Sequence, residues 1–425
     1  MNNDVAEIVR AIRSEFKQHR SERITVAFSG GRDSSVLLHL LADQTDLPVD
    51  ACFVAHGLQD SATASAWLQH VRQFCAALCV PLEERSAESL ASGGNIEARA
   101  RDARYDLLSA LPGRRLLLLA QHQDDQAETV LLQLLRGSGP AGLSGMPHAF
   151  SLGPHRALRP LLRQNRVWVE TYATTFGVAH FEDPSNADQS IDRNYLRHTI
   201  VPALEARWPS MARTVSRAAE WQQHSQQVLD QTAARDVRHV SLTGGRCSVA
   251  QLRQLPIVRQ RNVLRFALRS RALSPAPASR LESVLGLIEQ SAGRGEVAWQ
   301  EVRVRRYRDG LYLLRARPAP PAAFVRDINV QEWVQLPGDL GRYRVVAELT
   351  QAKRWRIGTR QGGERVRLHA NRPGMPLARW FQTHDVPPWE RQRMPLLWID
   401  DEIAAVGETV LPRFVGLSVE WQPAS

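Results

Sequence analysis

Apolar residues in the first 120 positions follow two alternating patterns. Some runs are mainly apolar over five to seven residues, as is typical of strands buried on both faces. These runs are residues 24–28, 49–55 and 116–120. Other stretches, such as 5–16 and 61–78, carry apolar residues at helical spacing. The alternation predicts an α/β fold with a doubly wound parallel sheet.

A glycine-containing loop, Ser29-Gly30-Gly31-Arg32-Asp33-Ser34, connects the first strand to a helix. Glycines allow a sharp bend that brings backbone N–H groups to an anion, and the helix N-terminus adds a partial positive charge. Ser29 and Ser34 offer hydroxyl donors, and Asp33 suits the Mg²⁺ that accompanies a nucleoside triphosphate. The loop lacks the Gly-Lys-Ser/Thr ending of a Walker A motif. It predicts a phosphate site; the alternative is an ordinary strand–turn–helix joint.

Further candidates follow the second strand and lie on a later helix. His56 comes directly after the second strand. Ligands of open α/β sheets gather at the carboxyl ends of strands, so His56 is expected to line the nucleotide pocket, with a structural role as the alternative. Arg101 and Arg104 lie on a helix that Asn95 can cap. They either face a substrate or stabilise a surface helix.

The third strand leads into a helix with a polar face. His122, Asp125, Glu128 and Thr129 are three or four residues apart and therefore point to one side. Two carboxylates at this edge of the sheet could hold an ammonium ion or Mg²⁺, and one could take a proton from an amine nucleophile. The alternative is a capped helix start with solvated acids.

Three further segments between residues 137 and 197 contain arginine pairs or turn-forming residues. Arg193 and Arg197 share one helical face and could clamp phosphates or stabilise a transferring nucleotidyl group, unless salt bridges within the domain occupy them. The segment 137–142 fits Gly-x-Gly-x-x-Gly but follows a helix and contains Pro140. It therefore predicts a flexible loop near the substrate rather than a dinucleotide site. Residues 182–186 have the composition of a turn.

Charge points to a polyanionic partner. The formal net charge is +10, and 52 of the 54 basic residues are arginines. Residues 237–281 contain no Asp or Glu. Within them Arg261, Arg265 and Arg269 recur every fourth residue, beside apolar positions of the same helix. This spacing predicts one face that packs and one that meets phosphates, with a solvated basic face as the alternative.

The cysteines and the hydropathy pattern narrow the class of protein. The chain has four cysteines and no Cys-x-x-Cys pair; Cys75 and Cys79 are expected to share a buried helix face. Residues 1–16 lack a continuous apolar core, so no signal peptide is indicated. No apolar run approaches the ~18 residues of a membrane span. These observations predict a cytoplasmic protein with no membrane partner.

Five motifs together resemble one family. Residues 29–34, 56–58, 122–129, 136–143 and 183–197 occur in the order found in tRNA(Ile)-lysidine synthetases, members of the PP-loop ATP pyrophosphatases. The resemblance implies that ATP adenylates the carbonyl oxygen at carbon 2 of the wobble cytidine in tRNA(Ile) with a CAU anticodon. The side-chain amine of free L-lysine then displaces AMP. It also implies catalytic roles for Asp33, Asp125, Glu128, Arg193 and Arg197, with ATP and Mg²⁺ as cofactors.

The resemblance extends to three predicted domains. Residues 1–215 are expected to form the catalytic PP-loop domain, 216–318 a basic, mainly helical tRNA-binding domain, and 319–425 a small α+β tRNA-recognition domain. Aromatic and basic residues alternate in the last of these, which suits RNA stacking, although Trp380 and Phe381 are expected in its core. The alternatives are a PP-loop enzyme that thiolates tRNA, for which paired cysteines are missing, and a non-catalytic tRNA-binding protein.

Overall fold

A computed structural model describes residues 1–55, 61–87, 96–183, 188–291, 294–347, 354–369 and 373–423. The chain divides into two compact units, 1–231 and 232–425. The predicted ligand His56 and the predicted cap Asn95 lie outside the described residues. The end of the predicted turn at 182–186 also lies outside them. In the described part of the chain, no helix is both long and apolar enough to cross a bilayer.

The first unit is built on a six-stranded sheet in the order β3-β2-β1-β4-β6-β5. Neighbouring strands are parallel from β3 to β6, and β5 pairs antiparallel with β6 at the edge. The strands are β1 (Arg23–Ala27), β2 (Val49–Ala55), β3 (Leu82–Ser86), β4 (Arg115–Leu118), β5 (Ala149–Leu152) and β6 (His155–Leu158). The predicted parallel sheet is confirmed, and the short, partly polar strands β3, β5 and β6 extend it.

Helices connect these strands and continue beyond the sheet. They are α1 (Asn2–Gln18), α2 (Arg32–Gln44), α3 (Ser61–Ala77), α4 (Ile96–Ser109), α5 (Gln123–Leu135), α6 (Pro140–Leu143), α7 (Arg166–Thr175), α8 (Asp192–Tyr195), α9 (Val201–Arg207) and α10 (Met211–His239). A π-helical turn, Leu196–Ile200, joins α8 to α9. Cys75 is buried on α3, but Cys79 is exposed. The expectation that they share a buried face is wrong, because α3 ends at Ala77.

The sheet is buried on both faces because successive side chains of a strand point to opposite sides. On β2, Ala51 and Phe53 join a core with α1, α2, α3 and α7. Cys52 and Val54 join a second core with α4. Helices therefore cover both faces, as the mainly apolar strands predicted. β1 lies between β2 and β4, so the loops that follow β1 and β4 leave the sheet side by side.

The second unit begins with helices that pack on a four-stranded antiparallel sheet of order β7-β10-β9-β8. The strands are β7 (Arg246–Ser248), β8 (Arg294–Trp299), β9 (Val302–Tyr307) and β10 (Gly310–Arg315). The helices are α11 (Val249–Arg253), α12 (Ile257–Ser270) and α13 (Ala278–Glu289). β9 and β10 pair as an antiparallel hairpin whose turn contains Asp309.

The rest of the second unit is an α+β arrangement of small sheets. Their orders are β11-β14-β17-β18-β19, β12-β13-β20 and β15-β16. The strands are β11 (Val325–Asp327), β12 (Trp333–Gln335), β13 (Arg342–Ala347), β14 (Trp355–Gly358), β15 (Arg365–Val366), β16 (Met375–Pro376), β17 (Leu396–Ile399), β18 (Glu402–Val406), β19 (Thr409–Val410) and β20 (Leu417–Gln422). One helix, α14 (Leu377–Thr383), buries Trp380 and Phe381, as predicted.

Candidate active site

The loop after β1 is closed by its own serines. Ser29 Oγ lies 3.0 Å from Ser34 Oγ, and the Ser29 N–H donates to Ser34 Oγ at 3.2 Å. Gly30 has a φ of +77°, a conformation that glycine adopts without strain. A Cβ atom there would come within 2.9 Å of Val71 Cγ2 and 3.0 Å of Trp67 Nε1. The bend therefore requires glycine on two counts.

The N-terminus of α2 follows this bend and is suited to bind an anion. Gly31 is its N-cap, and no side chain caps the helix. The first bond of the helix runs from the Ser35 N–H to the Gly31 carbonyl, so the N–H groups of Arg32, Asp33 and Ser34 have no intrahelical acceptor. Together with the helix dipole, these groups suit a phosphate.

The loop after β4 places a second set of polar groups at this edge. His122 caps α5: its Nδ1 accepts from the Asp125 N–H at 3.4 Å, and the Asp125 carboxylate accepts from the His122 N–H at 3.0 Å. This capping box fixes Asp125 at the start of the helix. Protonation of His122 would exchange the cap bond for a contact with Asp124, whose Oδ2 lies 3.5 Å from Nδ1.

Asp33, His122 and Asp125 converge from the two loops. One possible ligand atom from each lies within 4.8 Å of the others. His122 Nε2 is 3.7 Å from Asp33 Oδ2 and 3.6 Å from Asp125 Oδ2. While Nδ1 accepts the cap bond, the ring proton is on Nε2, so the two carboxylates are the groups left to bind a cation. Carboxylate oxygens are the ligands that Mg²⁺ prefers, so the donor set fits that ion.

The charges of this cluster shift one another's titration. Burial raises the pKa of Asp33; Asp125 adds to that shift, and His122 opposes it. Burial alone would lower the pKa of His122, but the surrounding carboxylates of Asp125, Asp124 and Asp33 hold it above its ordinary value. The cluster is therefore an electronegative recess in which a cation would replace the mutual repulsion of the acids with attraction.

The other half of the polar face of α5 is an arginine–carboxylate cluster. Glu128 is buried, and both of its oxygens accept from Arg193 and Arg197 at 2.7–2.9 Å. The same two guanidinium groups reach Asp125 Oδ1 at 3.2 and 3.0 Å. The predicted sharing of one helical face by Arg193 and Arg197 is confirmed, and so is the competing prediction of salt bridges. Although burial alone would raise the pKa of Asp125, His122 and the two arginines hold it below its ordinary range.

The remaining predicted arginines of the first unit contact protein groups. Arg32 pairs with Glu170 of α7 and lies 4.0 Å from Glu182. Arg101 is exposed and donates to the Tyr105 hydroxyl at 3.2 Å. Arg104 lies three residues further on, and burial lowers its pKa. Arg32 and Arg101 already have partners within the protein, so their positions are accounted for without a ligand. Binding roles for these arginines stay predictions.

Three family models match the chain: "PP-loop domain" over residues 4–204, "TilS substrate binding domain" over 248–312 and "TilS substrate C-terminal domain" over 355–415. The tRNA(Ile)-lysidine synthase of Alkalilimnicola ehrlichii is 42% identical over 402 residues, which cover 90% of this chain and 88% of that protein. The chain belongs to the tRNA(Ile)-lysidine synthase family. A Serratia proteamaculans member is 37% identical over 96% of this chain and 95% of its own.

The matched segments of the tRNA(Ile)-lysidine synthase family fall one in each predicted domain. The boundaries at 215/216 and 318/319 stay predictions, and α10 runs without a break through the first of them. Another relative, from Xanthomonas campestris pv. campestris strain 8004, is 36% identical over 91% of both chains. The similarity therefore covers nearly the whole chain and not the PP-loop domain alone.

The acid-free segment of this tRNA(Ile)-lysidine synthase family member draws its counter-charges from acids just beyond its ends. Arg259 Nε donates to the buried Asp236 at 2.9 Å, and Arg261 pairs with both oxygens of Glu282 at 3.0 Å. Arg265 and Arg269 are exposed on α12. The buried residues of α12 include Leu264 and Leu268, so its predicted two-sided character is confirmed. The predicted phosphate contact of Arg261 competes with its ion pair.

Two groups at the site were missed from the sequence. Asp124 accepts from the Arg166 N–H at 2.7 Å and so ties α5 to the start of α7. Trp67 donates its indole N–H to the Ser29 carbonyl at 2.5 Å. Asp124 is next to Asp125 in the sequence, and this acidic pair could have indicated that Asp124 also belongs to the site. Trp67 matched a helix core position, and no local pattern distinguished it from one.

Proposed function

We propose that the chain is an ATP-dependent ligase that joins L-lysine to carbon 2 of the wobble cytidine of tRNA(Ile) with a CAU anticodon. The carbonyl oxygen at carbon 2 attacks the α-phosphorus of ATP, and pyrophosphate leaves. The lysine side-chain amine then attacks carbon 2, the bond to the adenylated oxygen breaks, and AMP leaves. The observation that carries this proposal is the convergence of the phosphate loop and the Asp33–His122–Asp125 cluster in a chain of this family.

The loop and the cluster divide the binding of ATP between them. The first-turn N–H groups of α2 and the Ser29 and Ser34 hydroxyls would bind the leaving pyrophosphate. Asp33 and Asp125 would hold Mg²⁺ through carboxylate oxygens. When bound, Mg²⁺ neutralises the charge that develops on the phosphates. A phosphate loop beside a carboxylate cluster suits cleavage between the α- and β-phosphates.

The two predicted carboxylate bases have different surroundings. Asp125 meets the two arginines through Oδ1, and its Oδ2 accepts from the His122 N–H on the side of Asp33. Glu128 uses both oxygens on Arg193 and Arg197. We assign contact with the lysine amine or the cation to Asp125. Glu128 holds the two arginines in place, and their positive charge stabilises the transferring nucleotidyl group.

The tRNA would bind through exposed arginines of the second unit. Arg265 and Arg269 present guanidinium groups on α12, where they can meet phosphates. Tyr312 and Arg305 contact Trp389, at ring–ring and cation–ring distances of 5.2 and 5.1 Å. The Trp389 ring therefore has partners inside the protein. The cytoplasmic location stays a prediction.

Lysine transfer is tested with labelled lysine, ATP, Mg²⁺ and tRNA(Ile), scoring label in RNA together with AMP. We expect Asp33→Asn to abolish AMP release while tRNA binding stays nearly unchanged, because the substitution removes a charge at the cation site and not at the RNA surface. Asp46→Asn is the matched control, since that carboxylate is exposed and pairs with Arg13 on the surface. Full turnover by Asp33→Asn, or sulfur incorporation without lysine, would contradict the proposal.

A further inference from the structure

The first three carbonyl groups of the phosphate loop, those of Ser29, Gly30 and Gly31, accept hydrogen bonds from protein donors. The Ser29 carbonyl accepts from Trp67 Nε1 at 2.5 Å. The Gly30 carbonyl accepts from the Phe181 N–H at 2.8 Å and from Ser35 Oγ at 3.3 Å. The Gly31 carbonyl accepts from Ser34 Oγ and from the Ser35 N–H, each at 3.0 Å. We call these donors the carbonyl clamp.

The carbonyl clamp determines where the loop's N–H groups point. In a trans peptide the C=O and the following N–H point in opposite directions across one rigid plane. The described chain has no cis peptide bond. Fixing the carbonyls of Ser29 and Gly31 therefore aims the N–H groups of Gly30 and Arg32 away from the clamp. The Gly31 N–H between them donates to Ser29 Oγ at 3.4 Å. The Gly30 and Arg32 N–H groups can therefore contribute to an anion site at this bend.

Trp67 brings its side chain to the clamp from α3, outside the loop and α2. Its ring stacks on Phe181 with centroids 5.2 Å apart and planes 13° apart, and it contacts Phe53 at 6.4 Å. Two aromatic rings thus hold the indole in position. The absence of a side chain at Gly30 lets the indole nitrogen approach the loop backbone closely. Phe181, by contrast, contributes a backbone N–H, which a side-chain substitution does not remove.

We propose that Trp67 is a positioning residue for phosphate binding: by holding the Ser29 carbonyl, it aims the Gly30 N–H at the pyrophosphate portion of ATP. Trp67 acts through the loop and does not itself contact the nucleotide. The proposal rests on the ATP use in the proposed function. It gives the half-buried indole N–H a role that packing alone would not require, because a phenyl ring could fill much of the same space.

The test is Trp67→Phe in the full chain, with Mg²⁺ and either ATP or inorganic pyrophosphate as the probe. Losing the donor leaves the Ser29 carbonyl without a partner and frees the peptide to rotate. We expect affinity for both probes to fall by about tenfold, with KM for lysine and for tRNA unchanged. Benzothienylalanine at position 67, which replaces N–H by sulfur in the same bicyclic ring, should have the same effect if the phenylalanine variant does not fold.

Two controls separate positioning from packing. Trp168→Phe removes another indole N–H, which donates to Asp4 at 3.2 Å, and should leave probe affinity unchanged. Val71→Ala thins the packing beside Gly30 without removing a donor, and should shift the melting temperature more than probe affinity. Wild-type probe affinity in a folded position-67 variant, or equal rises in KM for ATP, lysine and tRNA, would overturn the proposal. A wild-type chain that binds ATP without transferring lysine would contradict the proposed function alone.

Discussion

The four cysteines show how burial decides the chemistry of single residues. Burial raises the pKa of the Cys52 and Cys247 thiols to about 12 and that of Cys75 to about 11. These side chains are protonated at neutral pH and closed to reagents, whereas Cys79 is exposed. Sulfur transfer needs accessible thiolates, so the burial of three thiols weakens the alternative of a tRNA-thiolating enzyme.

This difference predicts the count of reactive thiols. In the native protein at pH 8, one thiol per chain should react with an aromatic disulfide reagent within minutes, because only Cys79 is open to it. Denaturant should raise the count to four. Cys79→Ser should abolish the fast reaction. A second fast thiol in the native protein would show that a buried cysteine is open to solvent.

Single site residues could be predicted when they form a pattern with residues close to them in sequence, but not when their partners are far away along the chain. Asp33, His122 and Asp125 were found because loop chemistry and helical spacing are local patterns. The different surroundings of the Asp125 and Glu128 carboxylates were not predictable from the sequence. Arg193 and Arg197, which contact both, are 65–72 residues away along the chain. The Trp67 N–H likewise finds its acceptor 38 residues away.

At the scale of elements, the Glu128 cluster joins α5 to α8 and the π-helical turn. Arg193 comes from α8 and Arg197 from the turn, and both donate to the carboxylate on α5. The arginine side chains are 21% exposed, while that of Glu128 is 2% exposed. Removing the carboxylate would leave two enclosed positive charges facing each other, with Asp125 as their remaining partner in this cluster.

We therefore expect Glu128→Gln to lower the free energy of unfolding of the first unit by about 3 kcal/mol. Urea unfolding measures this loss. Glu84→Gln is the control, because Glu84 also takes two N–H donors from an arginine, Arg72, but on an exposed surface. Its loss should stay below about 1 kcal/mol. Unchanged unfolding with lost activity would instead favour Glu128 as the proton acceptor.

The elements themselves were predictable where burial was two-sided. β1, β2 and β4 are mainly apolar and were recognised within two residues of their ends. β3 (Leu82–Ser86) is largely charged, because it is an edge strand with one neighbour. Its sequence therefore carries little strand signal. The length of α10 was also missed, because its polar residues continue through the predicted domain boundary.

For the molecule as a whole, part of the positive charge of the arginines is paired with acids and carbonyl groups of the chain itself. The net charge of +10 suits an RNA partner. Even so, Arg259 and Arg261 of the acid-free segment are paired with Asp236 and Glu282, and Arg253 donates to carbonyls at the C-terminal end of α13. Arg265 and Arg269 are exposed on α12, and they carry the electrostatic prediction.

The double variant Arg265→Ala, Arg269→Ala should weaken tRNA binding several-fold. It should also reduce the slope of log K against log salt by about 1.4–1.8, because each lost phosphate contact removes about 0.7–0.9. Filter binding over a salt series measures both. Arg259→Ala, which removes the partner of a buried aspartate, should lower stability and leave the slope unchanged. An unaltered slope in the double variant would favour the solvated basic face.

The location of the counter-charges matters for any shorter piece of this protein. Asp236 and Glu282 lie just outside the two ends of the acid-free segment, so trimming to the basic residues would discard both acids while keeping Arg259 and Arg261. Such a fragment would attract RNA through guanidinium groups that are already paired in the intact chain. Its affinity would then measure where the chain was cut rather than how the enzyme recognises its substrate.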